Sequence, residues 1–334
     1  MTTPMLRLDA VSKRFTRLPN LGERIAGWLG AGDGSQTVHA VDDVSLEIAP
    51  RETLALVGES GCGKSTLGRL AAGIYTPDHG SVRLRGQPVM ATTGRPRKIT
   101  TKVQTIFQDP FASLNPRMRI ADILAEGPLA HGLVKRGDAD GYVARWLTQV
   151  GLDPGFAGRY PHQFSGGQRQ RIAIARALAM QPDLLVCDEP VASLDVSIQA
   201  QILNLLVELR RELGLTCLFI SHDLGVVRHV SDRVAIMYLG RVVELGPTAE
   251  ILARPRHPYT QALLASVPRL RRSAAEAESF RPIRGEIPSP LAPPPGCHFN
   301  PRCPMAIERC RREAPVLTAA PDGRAVSCHL APTG

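Results

Sequence analysis

The chain has 334 residues, 43% of them hydrophobic, and a formal net charge of +9. That length buries a full core, with room for one large domain and a smaller appendage, and the ordinary apolar content excludes wholesale disorder. No apolar run approaches the roughly 18–20 residues of a transmembrane helix; "MTTPMLRLDA" lacks the charged and apolar regions of a secretory leader, so a cytosolic chain is expected.

In chain order, "LRLDAVSKRF" (6–15) alternates well enough for a first strand. The glycine-rich stretch up to residue 37, with Leu18, Leu21, Ile25 and Trp28 near helical spacing, is read as a surface excursion between two strands. "HAVDDVSLEI" and "TLALVG" follow as strands. Between about 120 and 150, Ile120, Ile123, Leu124, Val143, Trp146, Leu147 and Val150 mark a helical region. The strands "DLLVCD" and "TCLFIS" flank the helical "SIQAQILNLLVELRREL". Such alternation indicates a mostly parallel sheet with crossover helices. Beyond "VVELGPTAEIL", residues 266–296 are rich in proline and arginine and read as a linker or irregular wrap. From Arg254 onward there are 12 Arg against 6 acidic residues. A basic tail suits anionic lipid, nucleic acid or an acidic partner, and equally an ordinary solvated surface. Seven cysteines, an odd number in a reducing cytosol, argue against structural disulfides; Cys62, Cys187 and Cys217 read as small core residues.

"TLALVGESGCGKSTL" is a strand, then Gly58-x-x-x-x-Gly63-Lys64-Ser65, then a helix. Glycines let the backbone curl so that the N–H groups across Gly58, Glu59, Ser60, Gly61, Cys62, Gly63, Lys64, Ser65 and Thr66 surround a phosphate. The helix start adds free N–H groups and its positive dipole end. Lys64 reaches the β/γ-phosphates and the Ser65 hydroxyl ligates magnesium. Four apolar residues deliver Asp188 to a strand end, where its carboxylate holds the metal, and Glu189 beside it is suited to deprotonating water.

"FSGGQRQRIAIARAL" opens a helix at Ser165, Gly166, Gly167 and Gln168, a second anion-accepting N-terminus. It resembles the signature motif of ABC-type ATPases, in which one subunit's signature covers ATP held on its partner's phosphate loop. The resemblance implies further roles in the family's order. "IFQDP" places Gln108 at the glutamine that senses magnesium and the attacking water. "ASLDV" places Asp195 at the dimer interface, "FISHD" places His222 at the γ-phosphate, and Phe15 stands where the family stacks adenine, with plain core as the alternative. Lys64, Gln108, Glu189 and His222 are then the catalytic set, and Ser65, Gln108 and Asp188 the magnesium set. The implied fold is α/β: an ABC-type P-loop ATPase with a RecA-like parallel-sheet core, an antiparallel β subdomain, and a helical subdomain over about 110–180. Domains are expected at 1–253 and 254–334, the latter an irregular, cysteine-rich extension.

"FQDPFASLNPR", "ISHDLGVV", "MYLGRVVELG", "RHPYTQALL" and "GEIPSPLAPPPGC" are similar to the ATP-binding subunits of dipeptide/oligopeptide ABC importers. That resemblance implies a second ATPase subunit (a different one, or a copy of this chain), two transmembrane permease subunits and an extracytoplasmic peptide-binding protein. It implies no nucleic acid, and a peripheral location on the cytoplasmic face of the inner membrane. Nickel, glutathione or modified peptides are alternative solutes, and a soluble ABC-type ATPase acting on nucleic acid is the competing class. Cys297, Cys303, Cys310 and Cys328 are separated by five, six and seventeen residues, a poor zinc pattern. Proline after Cys303 suits an iron–sulfur ligand, and the family's extension implies a [4Fe-4S] cluster. Zinc and no metal stay open, with His298 and His329 as further candidate ligands.

Overall fold

The computed structural model describes residues 3–17, 36–91, 97–109, 113–266, 283 and 285–331. The first two strands, β1 (Leu6–Arg17) and β2 (Gln36–Ile48), pair antiparallel, with β4 (His79–Leu84) and β5 (Gln87–Pro88) continuing a sheet of order β2-β1-β4-β5. Alternation drives this sheet: Leu6 and Leu8 on β1, and Val44, Leu46 and Ile48 on β2, point into the core while the residues between them face out. Most of the glycine-rich excursion, 18–35, lies outside the described residues.

A second sheet has the order β11-β12-β10-β9-β3-β8-β7-β6. Its centre is parallel: β3 (Thr53–Val57) pairs with β8 (Thr216–Ile220) and β9 (Arg233–Tyr238), while β7 (Leu184–Asp188) pairs with β8 and with β6 (Val103–Ile106). Every residue of β3, β7 and β8 is buried, as expected of strands covered on both faces; this is why they read as unbroken apolar runs. Helix α1 (Lys64–Ala71) follows β3. The helical region expected over 120–150 is two helices, α2 (Ile120–Ala130) and α3 (Ala139–Gln149). Pro128 removes a backbone donor near the end of α2, and the chain restarts after a 3-10 turn at Arg136–Asp138. All seven apolar positions named there are buried, in one cluster with α4 (Gly166–Ala179) and α5 (Val196–Leu213). Cys62, Cys187 and Cys217 are buried in the core as expected.

After α6 (Leu224–Val230), strand β10 (Arg241–Pro247) runs antiparallel to β9 and leads into α7 (Thr248–Ala253) and α8 (Pro258–Ala265). Within the expected linker, 267–282 and 284 are outside the described residues. The C-terminal segment then forms α9 (Glu308–Arg312), β11 (Thr318–Ala319) and β12 (Ala325–Val326). It docks on the large sheet. β12 pairs with β10 through Glu244↔Val326 and Leu245↔Ala325, and the Pro290 carbonyl accepts from the His39 N–H at 3.0 Å. Beneath it Phe299, Tyr238 and Tyr259, each at most 1% exposed, form an aromatic cluster.

Candidate functional site

Four segments leave the carboxyl ends of neighbouring parallel strands: the phosphate loop after β3, Gln108 after β6, Asp188 and Glu189 from β7, and His222 after β8. Open parallel sheets bind their ligands along this edge. Within the loop, Gly58 approaches so closely that a Cβ there would meet the Met237 carbonyl oxygen at 2.1 Å. Gly63, at φ +105°, caps α1; a Cβ there would lie 2.0 Å from the Ala40 carbonyl oxygen. No side chain caps α1, which leaves its first-turn N–H groups to an anion. Ser60 and Gly61 are exposed, while Ser65 and Thr66 are half-buried.

The Lys64 side chain curls back, its Nζ donating to the carbonyls of Gly58 (2.8 Å) and Glu59 (3.0 Å). Burial pushes the Cys62 thiol up against the opposing influence of Lys64, so this cysteine fills space as a neutral thiol. The Ser65 hydroxyl donates to Asp188 Oδ1 at 2.9 Å, joining the two expected metal ligands. Burial raises the Asp188 carboxyl, partly offset by that hydrogen bond and the charge of Arg69. Glu189 sits at φ +48°, a left-handed conformation that turns its carboxylate from the strand into the crevice mouth. There Oε2 accepts from Gln108 Nε2 at 3.2 Å and Oε1 meets His222 Nδ1 at 3.3 Å. The structure therefore brings Ser65 to Asp188 and both Gln108 and His222 to Glu189, three contacts among five of the residues expected around water and metal.

Phe15 is not plain core. It is 37% exposed, packed edge-on to Tyr75 with ring centroids 5.3 Å apart, and Lys13 Nζ stands 5.5 Å from its centroid. Tyr75 was not singled out by sequence reasoning, since its pairing with Phe15 spans two sheet strands and a helix. Ser165 and Gln168 form a reciprocal cap on α4, each side chain bonding the other's backbone N–H at 3.3 and 3.1 Å. A Cβ on Gly167 would lie 2.6 Å from Ile198 Cγ2, and Gly166 faces Leu194. The signature thus packs on the start of α5, where Asp195 is exposed and Val196 is 83% exposed. These residues' described contacts are local; they are not drawn onto the phosphate loop of the same chain.

Cys297, Cys303, Cys310 and Cys328 line one small cavity with His257 and His329. Burial pushes the Cys297 thiol up to about 11, with the other three thiols adding to the shift. The expected metal is not carried by this geometry: among the described residues no three His, Cys, Asp or Glu side chains are arranged to hold an ion. His298 does not line the cavity, its Nδ1 bonding the Leu239 carbonyl at 2.9 Å. His329 bonds the Glu313 carbonyl at 2.9 Å. Sequence reasoning also missed two residues that hold the phosphate loop from outside. Tyr259 accepts from the Glu59 N–H at 2.9 Å, and Arg302 pairs with the Glu59 carboxylate at 2.7 Å. No local signal marks them, since they lie 200 and 243 residues away in sequence.

Residues 41–192 match the family model for the ABC transporter, and 243–310 match that for the oligopeptide/dipeptide transporter C-terminal region. The chain is 47% identical to the oligopeptide transport ATP-binding protein AppF of Bacillus subtilis, over 98% of this chain and 97% of that one. The chain belongs to the ATP-binding subunits of the oligopeptide/dipeptide ABC transporter family. Within that family it is also 49% identical to the di/tripeptide transport ATP-binding protein DppF of Pseudomonas aeruginosa, over 90% and 93% of the two chains. Among solved structures, cbiO1 of Clostridium perfringens, part of the ABC transporter complex cbiONQ, aligns with a TM-score of 0.59. It is 26% identical and covers 75% of this chain and 92% of its own. The ATP-binding cassette MJ0796, solved as a dimer in a post-hydrolysis state with ADP and Pi, aligns at 0.58 with 26% identity, over 73% and 99%. This family member is thus an ABC-type ATPase by both sequence and fold. Among its described residues, no helix is long and apolar enough to cross a membrane.

Proposed function

We propose that this chain hydrolyses ATP to energise import of dipeptides and oligopeptides through a membrane-embedded permease. The observation that carries the reading is the crevice network: Ser65 bonded to Asp188, and Glu189 held between Gln108 and His222. Loop N–H groups across 58–66 receive the phosphates, and Lys64 releases its two loop carbonyls to meet them. Ser65, Asp188 and Gln108 would hold magnesium, which neutralises charge on the phosphate oxygens when bound. Glu189 accepts the proton of the attacking water, oriented by Gln108 and His222, and His222 donates toward the γ-phosphate. Phe15, braced by Tyr75, offers a face to adenine.

The signature cap, with Ser165 exposed and Gly166, Gly167 and Gln168 half-buried, together with the exposed Asp195 and Val196, supports closure on a second ATPase subunit. That partner is a different ATPase subunit in our reading. Two permease subunits and an extracytoplasmic peptide-binding protein complete the complex, at the cytoplasmic face of the inner membrane. We place the division of the chain at 253/254, with the cysteine-rich part as a docked extension. Its four thiols line one cavity and match a four-thiolate [4Fe-4S] site in donor type and number, while their arrangement as it stands is not that of a metal site. Such a cluster would crosslink the irregular tail. Iron analysis and visible absorbance of anaerobically purified protein test that part; absence of both removes it. Co-purification from native membranes, followed by ATP-dependent peptide uptake in proteoliposomes, tests the function. Uptake of another solute instead of peptides, or a preparation without permease, overturns it.

A further inference from the structure

A carboxylate is an odd occupant of an anion-binding loop, yet Glu59 stands between Gly58 and Ser60 in the phosphate loop. All three of its polar groups are tied. Its N–H donates to Tyr259 Oη at 2.9 Å, and its carbonyl accepts from Lys64 Nζ at 3.0 Å. Its carboxylate is gripped by a two-pronged guanidinium, Arg302 Nη1 to Oε2 at 2.7 Å and Nη2 to Oε1 at 3.1 Å. The Arg302 side chain is 4% exposed and that of Glu59 21%, so solvent screens this pair weakly. Arg302 also bonds Tyr238 Oη at 3.3 Å and stands 5.8 Å from that ring's centroid. It closes the 3-10 turn Asn300–Arg302, which follows the fully buried Phe299 and directly precedes Cys303.

We propose that Arg302 is a positioning residue for nucleotide binding, through which the C-terminal segment neutralises Glu59 and sets the shape of the phosphate loop. A planar fork on both carboxylate oxygens fixes direction as well as charge. Without it, a negative charge is released beside a triphosphate, and the loop loses one of its outer anchors. A displacement of the turn between Cys297 and Cys303 would reach the loop by the same contact, since Asn300 Nδ2 bonds the Cys297 carbonyl at 2.8 Å. The inference rests on the reading that 58–66 holds the phosphates.

The test uses the full chain, with equilibrium MgATP binding, KM and kcat for hydrolysis, and thermal melting measured on each variant. Arg302→Met is expected to weaken MgATP binding and raise KM about tenfold, the equivalent of roughly 1.4 kcal/mol, while kcat changes little. Added salt shrinks that defect. Arg302→Lys, which keeps charge without the fork, falls between, and should Arg302→Met not fold, it carries the comparison. Introducing Glu59→Gln into either variant recovers most of the lost affinity, because the released charge is gone. Arg309→Ala, on an exposed pair with Glu313 in the same segment, leaves affinity unchanged. Wild-type affinity in a folded Arg302→Met protein overturns the proposal, as does a double variant no tighter than the single. Lys64→Met separates the two readings. If it binds MgATP normally, the loop is not the phosphate site. If it loses binding while the Arg302 variants keep theirs, only the role of Arg302 falls.

Discussion

Replacing Arg324 by Met would break the ion pair that ties the last strand of the chain to its sheet. Glu244 on β10 is fully buried, and the Arg324 side chain is 4% exposed. Three donors reach the carboxylate: Arg324 Nη2 at 3.0 Å and the backbone N–H groups of Arg256 (2.8 Å) and His257 (3.0 Å). Removing one partner of a buried pair costs about 3–5 kcal/mol, because the other charge stays buried without its counter-ion. Two amide donors remain on Glu244, which places the expected loss at the lower end, about 3 kcal/mol. Urea unfolding followed by circular dichroism measures it as a lower midpoint at unchanged slope. Adding Glu244→Gln removes the orphaned charge and is expected to return more than half of the loss. A single variant within about 0.5 kcal/mol of wild type, or a double variant less stable than the single, would refute the reasoning.

Glu189→Gln keeps the side chain's shape but not its basicity. Phosphate release is expected to fall by at least about a hundredfold with MgATP binding retained; normal turnover removes Glu189 from the role of base. Gly63→Ala forces a side chain into φ +105° and onto the Ala40 carbonyl. It is expected to strain the loop by about 1–3 kcal/mol or more and abolish measurable MgATP binding in a titration; retained affinity contradicts the loop geometry. His257 is 1% exposed, and burial pushes its pKa down to about 4. Below about pH 6.5 the unfolded chain takes up a proton that the folded chain refuses until about pH 4, so stability falls as pH drops through that window. The expected contribution is about 2 kcal/mol lost between pH 7 and 5. Urea midpoints at both values, for wild type and His257→Gln, read it as a difference in slope, and equal slopes exclude it.

The residues that meet in the crevice were legible in the chain because its parts are local. Gly58, Gly63, Lys64 and Ser65 act through one strand–loop–helix turn, and Asp188 and Glu189 through a strand end. Apolar runs such as "LLVCD" also announce themselves, since a strand buried on both faces has no polar position to alternate. The joint between α2 and α3 was blurred because helical periodicity continues on both sides of it.

Tertiary structure alone decided how those parts meet. That Glu189 lies between Gln108 and His222 follows from the order β8-β7-β6, which no spacing along the chain encodes. The proline-rich, basic tail read as an appendage, yet it closes one edge of the large sheet through β12, buries Arg324 on Glu244, and reaches the phosphate loop through Arg302. Pairing over 80 and 243 residues leaves no periodic trace, because it depends only on where two folded surfaces happen to carry opposite charge. The same limit applies to the four cysteines. The family resemblance, not their spacing, implied a shared ligand, and only folding could gather them around one cavity.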